Sequence, residues 1–230
     1  MTIEQLIYMG KRYSKHEFEA FQTKNFRPDE MLLFSLALVR DGGRVEAGSL
    51  LKIIIDILLS FEKNTIDYAI VGHTASALHG RPLVTADVDL LIDYDEKSAG
   101  LISRICSKAG FRVLESDLIQ ALKDGTHVSG ISKKRQSIRL DLVPAFNKSR
   151  KDQIERRRKI KVMRKNVYIA SNEDLIAYFI LFDRLDDARF MLQKYQKKLD
   201  MRMLNRVCRE LGVSRRLFHI LKQVKRGSPR

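Results

Sequence analysis

Two short runs of sequence constrain this chain more than anything else in it. Residues 66–71, Ile-Asp-Tyr-Ala-Ile-Val, are mostly apolar and stop at Gly72; residues 87–93, Asp-Val-Asp-Leu-Leu-Ile-Asp, place acids at alternate positions of an apolar stretch. Runs of this length bounded by turn residues read as strands. The alanine-containing segment from His73 to Gly80 reads as a helix entered through a tight turn at Gly72, so the unit is strand, turn, helix, strand. Strand side chains alternate faces, so Asp87 and Asp89 point the same way, about 7 Å apart. Two carboxylates at that spacing repel each other. A sheet tolerates them best where a divalent cation, usually with a nucleotide polyphosphate, neutralises them.

The rest of the chain is read around that unit. Residues 1–25 alternate charged and aromatic residues without a clean period, and fit either a loose basic arm or a short helix. Arg27-Pro28-Asp29-Glu30 has the proline and acids favoured in a first helical turn, residues 31–39 form an apolar body, and Asp41-Gly42-Gly43 ends it. Leu50, Leu51, Ile54, Ile55, Leu58 and Leu59 recur at helical spacing and predict a helix over 46–63. A further helix is expected over 96–110, with Gly110 as its C-terminal cap and Leu101, Ile102, Ile105, Cys106 and Ala109 as one stripe. Asp93 and Asp95 read as surface acids. Residues 111–114 read as an edge strand or loop, 117–123 as one or two helical turns, and 126–131 with 136–143 as a hairpin around Ser132-Lys133-Lys134-Arg135. Ser137-Ile138-Arg139-Leu140-Asp141-Leu142-Val143-Pro144 alternates in the manner of a strand and carries a third acid, Asp141.

From Lys148 the expected pattern is helix after helix with high positive charge, densest at residues 154–161, with a last strand at 167–169. Ser171 has the character of an N-cap, with Asp174 in the position of a capping-box acid. Helices are expected over 173–182, 184–195, 200–211 and 214–224, with the last six residues frayed. The last two, joined by Gly212-Val213, match a helix-turn-helix in spacing, as does any helical hairpin with a glycine turn.

Charge is informative once divided along the chain. Residues 1–145 hold 19 Lys and Arg against 19 Asp and Glu, whereas residues 146–230 hold 24 against 9 and so supply the whole formal charge of +15. A surface of that density draws in polyanions with strong salt dependence, although a solvated basic helix surface has the same composition. No apolar run approaches the roughly 20 residues needed to cross a bilayer, and the first ten residues lack the features of a signal peptide. The expectation is a cytoplasmic protein with no membrane association. Cys106 and Cys208 stand about a hundred residues apart with no metal-ligand spacing nearby, which reads as two reduced thiols packed in a core.

The motif Gly72-x-x-Ala75-x-x-x-His79-Gly80-Arg81, followed by Thr85-x-Asp87-x-Asp89-Leu90, resembles the signature of the nucleotidyltransferase superfamily, the fold of DNA polymerase beta. Within it the chain looks most like the small prokaryotic branch of abortive-infection type toxins and minimal nucleotidyltransferases. Ser171-Asn172-Glu173-Asp174-Leu175-Ile176-Ala177 is similar to the segment that opens the helical C-terminal part of that family, and residues 187–192 resemble the helix that follows. The likeness covers roughly residues 50–212. The chain departs from the pattern at His73, where the family turn has a second small residue, and at Phe179, where a lysine is common.

The resemblance implies an α+β fold in which a mixed sheet is flanked by helices. It also implies a catalytic domain over 49–170 and a helical region over 171–230, which is the basic part of the chain; residues 1–48, which the likeness does not reach, are read as an N-terminal helical extension. Asp87, Asp89 and Asp141 would be the catalytic acids and the ligands of Mg²⁺ or Mn²⁺. Gly72, His73, Thr74 and Ser76 would meet the NTP at the helix start, where backbone amides favour an anion. His79 reads as a packing or capping residue at the helix end. The implied reaction moves a nucleoside monophosphate from an NTP to a nucleic acid, tRNA first, held by the basic C-terminal third, or to a protein partner. The alternative is a protein of the same fold that does not catalyse and serves as a nucleic-acid-binding or toxin–antitoxin interaction module.

Overall fold

The structure, a computed structural model, describes residues 47–81, 87–133 and 138–227. The expected helix over 31–39, the basic arm before it and residues 134 and 135 of the 132–135 tip lie outside the described residues. The chain divides into two compact units, one ending at Ile169 and the other beginning at Ala170.

The described part of the first unit runs α1 (Ala47–Lys63), β1 (Asp67–Ile70), α2 (Gly72–Leu78), β2 (Asp87–Asp93), α3 (Glu96–Lys108), β3 (Phe111–Arg112), α4 (Glu115–Asp124), β4 (Val128–Ser132), β5 (Arg139–Pro144), α5 (Lys148–Glu155), β6 (Arg158–Val162) and β7 (Lys165–Ile169). The strands form one seven-stranded sheet in the order β3-β4-β5-β2-β1-β7-β6. The β2/β5 and β1/β7 pairs are parallel and the others antiparallel, so the sheet is mixed, and helices flank it. The fold is α+β, as the sequence leads one to expect.

Alternation decides what each face of the sheet does. Val88, Leu90 and Ile92 of β2 and Leu140 and Leu142 of β5 are fully buried, and Tyr68, Ile70, Val167 and Ile169 extend that apolar layer across β1 and β7. Helix α1 packs on β1, β7 and α3, and its Glu62 Oε1 accepts a 2.9 Å hydrogen bond from the Tyr68 hydroxyl. Asp87, Asp89, Asp93 and Asp141 take the intervening positions and are only partly covered. Asp93 meets Lys151 of α5 at 4.0 Å, and Asp67 of β1 meets Arg157 at 2.6 Å. Asp95 is the N-cap of α3 and accepts from the Ser98 amide at 2.9 Å, while Gly110 follows that helix at φ +91°.

The region after Lys148 departs from the helical expectation. Only α5 is helical before Ala170, and the densest basic block runs on into β6, which pairs with β7 as a hairpin. Its two turn residues, Met163 and Arg164, have φ of +46° and +64°, the conformation of the tight hairpin turn that usually uses Asn-Gly. Helix α4 is longer than expected, ten residues ending at Gly125 in the left-handed region.

The second unit contains α6 (Asn172–Leu181), α7 (Leu185–Tyr195), α8 (Met201–Glu210) and α9 (Ser214–Gly227). The Ser171 hydroxyl accepts from the Asp174 amide at 3.1 Å and donates to the Asp174 carboxylate at 2.6 Å, so the cap forms where the sequence places it. Helix α6 packs against the other three. Leu204, Val207 and Cys208 of α8 and Leu217, Ile220 and Val224 of α9 face inward, while Arg202, Arg206, Arg209, Arg215 and Lys222 are exposed. Phe179 is buried, with the Arg184 guanidinium 4.6 Å from its ring centre. No helix among the described residues is long and apolar enough to cross a membrane.

Candidate functional site

Register brings the acids together. In the parallel β2/β5 pair Asp89 stands opposite Asp141 and Asp87 opposite Arg139; in the antiparallel β4/β5 pair Asp141 stands opposite Ser129 and Arg139 opposite Ile131. Directly paired residues share a face and neighbouring strands lie about 4.8 Å apart. One row across the sheet therefore reads Ser129, Asp141, Asp89, and the next reads Ile131, Arg139, Asp87. All three acids expected from the sequence occupy one face of the central strands.

Each acid has a partner that fixes it. Arg139 donates to Asp87 through both Nε (2.8 Å) and a terminal nitrogen (3.0 Å), a bidentate pair. Asp87 first, then Asp141 and Asp89, push the Arg139 guanidinium above its ordinary pKa. The Ser129 hydroxyl donates to Asp141 Oδ1 at 2.6 Å. The His73 amide donates to Asp89 Oδ2 at 3.1 Å, and the Val71 amide donates to the Asp89 carbonyl at 3.0 Å. Strand β2 and the start of α2 are thus stitched together around Asp89.

Gly72 is the residue that permits this approach. A β-carbon there would come within 2.5 Å of the Asp89 carboxylate carbon, and the backbone has φ +60°, which other L-residues rarely adopt. His73 is exposed beside it. Thr74 and Ser76 are fully buried; the Thr74 hydroxyl donates to the Asp87 carbonyl at 2.9 Å and so ties α2 to β2 from behind the acids. His79 forms the C-cap of α2, its amide donating to the Ala75 carbonyl at 3.0 Å.

Sequence reasoning assigned no role to Ser129 or Arg139. Arg139 lies two residues before Asp141 and shares its face by the period of two, so that signal was present; what put it on Asp87 is a long-range register that no local pattern carries.

Among the described residues no set of three His, Cys, Asp or Glu side chains is gathered tightly enough to hold a metal ion as it stands. The chemistry of the donors nonetheless fits a hard cation. Mg²⁺ takes oxygen ligands, and usually one or two carboxylates plus substrate phosphates rather than a cage made by the protein alone. Asp89 and Asp141 abreast on parallel strands, with Asp87 one row away, supply that donor set.

No protein-family model matches the chain, and no curated protein sequence does. Solved structures that resemble it include the antibiotic-resistance factor ANT(2'')-Ia, at 13% identity over 79% of this chain and 99% of that one, with a TM-score of 0.49. An antigenic nucleotidyltransferase-like protein from Paracoccidioides brasiliensis is 18% identical over 74% of this chain and 91% of its own, with a TM-score of 0.45. A candidate nucleotidyltransferase from Thermotoga maritima is 17% identical over 66% and 95%, with a TM-score of 0.41.

Proposed function

We propose that the chain is a nucleotidyltransferase of the superfamily its motifs resemble, moving a nucleoside monophosphate from an NTP to an acceptor hydroxyl with Mg²⁺ or Mn²⁺ bound. The observation that supports this most is the shared face of Asp87, Asp89 and Asp141, with the Gly72 backbone pressed against Asp89. When bound, the metal would neutralise charge on the attacking and leaving oxygens of the α-phosphate. Asp87 and Asp89 would hold the ion that comes with the triphosphate, and Asp141 a second position. Asp141, whose Oδ1 receives the Ser129 hydroxyl, would take the acceptor proton on Oδ2. Gly72 and His73 would line the approach of the phosphates, with Thr74 and Ser76 supporting that turn from within.

The acceptor is read as nucleic acid, tRNA being the first to try, because residues 148–165 carry ten Lys and Arg against only Asp152 and Glu155. That segment is α5 and the β6–β7 hairpin, in which Arg158, Lys159, Lys161, Arg164 and Lys165 are exposed. The second reading is a non-catalytic binding or toxin–antitoxin module. Its support is the Arg139 clamp on Asp87 and the imidazole at position 73; the common orientation of Asp141 and Asp89 favours catalysis.

The test is transfer of label from each NTP, labelled at the α-phosphate, to total tRNA and to the protein itself, with Asp87→Ala/Asp89→Ala as control. Metal-dependent label in wild type that falls by at least a hundredfold in the double variant is the expected result. Salt-sensitive RNA binding with no label under any metal would establish the second reading instead.

A further inference from the structure

The Arg139–Asp87 pair sits where the proposed function needs an open carboxylate. Both oxygens of Asp87 are engaged by one guanidinium, at 2.8 and 3.0 Å, and the pair joins neighbouring parallel strands directly in register. Arg139 is also a partly exposed side chain, about half open to solvent, so it has somewhere to go. Arg112 gives an internal comparison. It stands opposite Ile131, which stands opposite Arg139, so it lies in the same row two strands away, about 10 Å across the sheet.

We infer that Arg139 is a resident counter-cation: it holds Asp87 while the site is empty, yields Asp87 to a divalent cation, and then donates hydrogen bonds to the phosphates of the incoming nucleotide. This rests on the nucleotidyltransferase reading above. A guanidinium and a divalent cation compete for the same carboxylate oxygens, so the two states exclude each other at Asp87. A guanidinium matches phosphate as well as it matches carboxylate, with the same planar fork. Once displaced, Arg139 lies one row from Asp89 and Asp141 on the face where the triphosphate would bind. A purely structural role for the pair would instead make Arg139 a β2/β5 staple and nothing more.

The two roles predict opposite signs in two binding measurements. Mn²⁺ alone is titrated into the full-length protein and followed by electron paramagnetic resonance, and an α,β-methylene NTP is titrated separately at saturating Mn²⁺. Removing an exposed bidentate partner from Asp87 in Arg139→Gln should tighten Mn²⁺ about fivefold. The same variant should weaken the nucleotide analogue about five- to tenfold, and Arg139→Lys should recover part of that loss. Arg112→Gln removes the same charge and should leave Mn²⁺ affinity within twofold.

Unchanged or weaker Mn²⁺ binding in Arg139→Gln, with Asp87→Ala/Asp89→Ala abolishing it, would overturn the counter-cation role and leave the metal site standing. Equal tightening in Arg112→Gln would also overturn it, by showing a general charge effect. Mn²⁺ binding that is absent in wild type, or indifferent to Asp87 and Asp89, would remove the site reading itself and this inference with it.

Discussion

At Gly72 a single missing methyl group decides whether the site can exist. The turn must pass so close to Asp89 that any side chain would collide with the carboxylate, and it does so at positive φ. Gly72→Ala should therefore lower stability by about 2–4 kcal/mol, from left-handed strain plus overpacking. In urea unfolding this appears as a lower midpoint at unchanged slope. Loss of less than about 1 kcal/mol would mean that Asp89 swings aside and that the turn also relaxes out of the left-handed region. The acids themselves were legible because a period of two and a spaced motif are local signals. Ser129 and Arg139 were not, because each owes its position to a partner strand that only the folded sheet supplies. Thr74 and Ser76 were legible as residues of the turn helix, yet their burial follows from the way α2 lies on β2, which spacing alone does not reveal.

Among the elements, β6 shows where a reading by composition fails. Arg158, Lys159 and Lys161 look helical or unstructured by charge density, and an edge strand with one wet face needs few apolar residues. The turn that closes the hairpin also hides itself, since Met163-Arg164 is not a turn dipeptide by any propensity. Both residues hold positive φ without glycine or asparagine. Met163→Asn with Arg164→Gly should stabilise the protein by about 1 kcal/mol, seen as a higher urea midpoint. A fall in stability would mean that the Met163 and Arg164 side chains contribute more than the turn strain costs. The four helices after Ala170, by contrast, were plain in the sequence: α8 and α9 carry apolar stripes at helical spacing, α6 is apolar along most of its length and buried nearly all round, and Ser171 and Asp200 cap α6 and α8.

For the whole molecule, burial sets the response to alkali. Burial pushes the Cys106 and Cys208 thiols up to about 12 and the Tyr94 hydroxyl up to about 12, and it raises Tyr68 further, aided by Glu62. In the unfolded chain the thiols ionise near pH 8.5 and the phenols near 10. The folded state keeps these protons while the unfolded state releases them, so their contribution is whole below about pH 8 and drains as pH climbs toward 12. The melting temperature should hold steady from pH 7 to 8 and then fall, and Cys106→Ala/Cys208→Ala should shrink the fall. An identical alkaline slope in that variant would show that the thiols are not what drives it. Neither cysteine should react with a thiol reagent until the chain unfolds.

The described sheet ends on one side in β3, two residues long, and on the other in β6 with its row of lysine and arginine. A bare strand border invites another chain to pair with it, and both brevity and lysine are known deterrents. Among the described residues, the charges that would attract a polyanion would therefore also discourage neighbouring copies of this protein from adding on as extra strands. Neutralising them would disturb solubility and affinity together, and a lost activity could not be traced to either one. Glutamate at Lys159 and Lys161 separates the two, since a repelling border stays guarded whatever its sign.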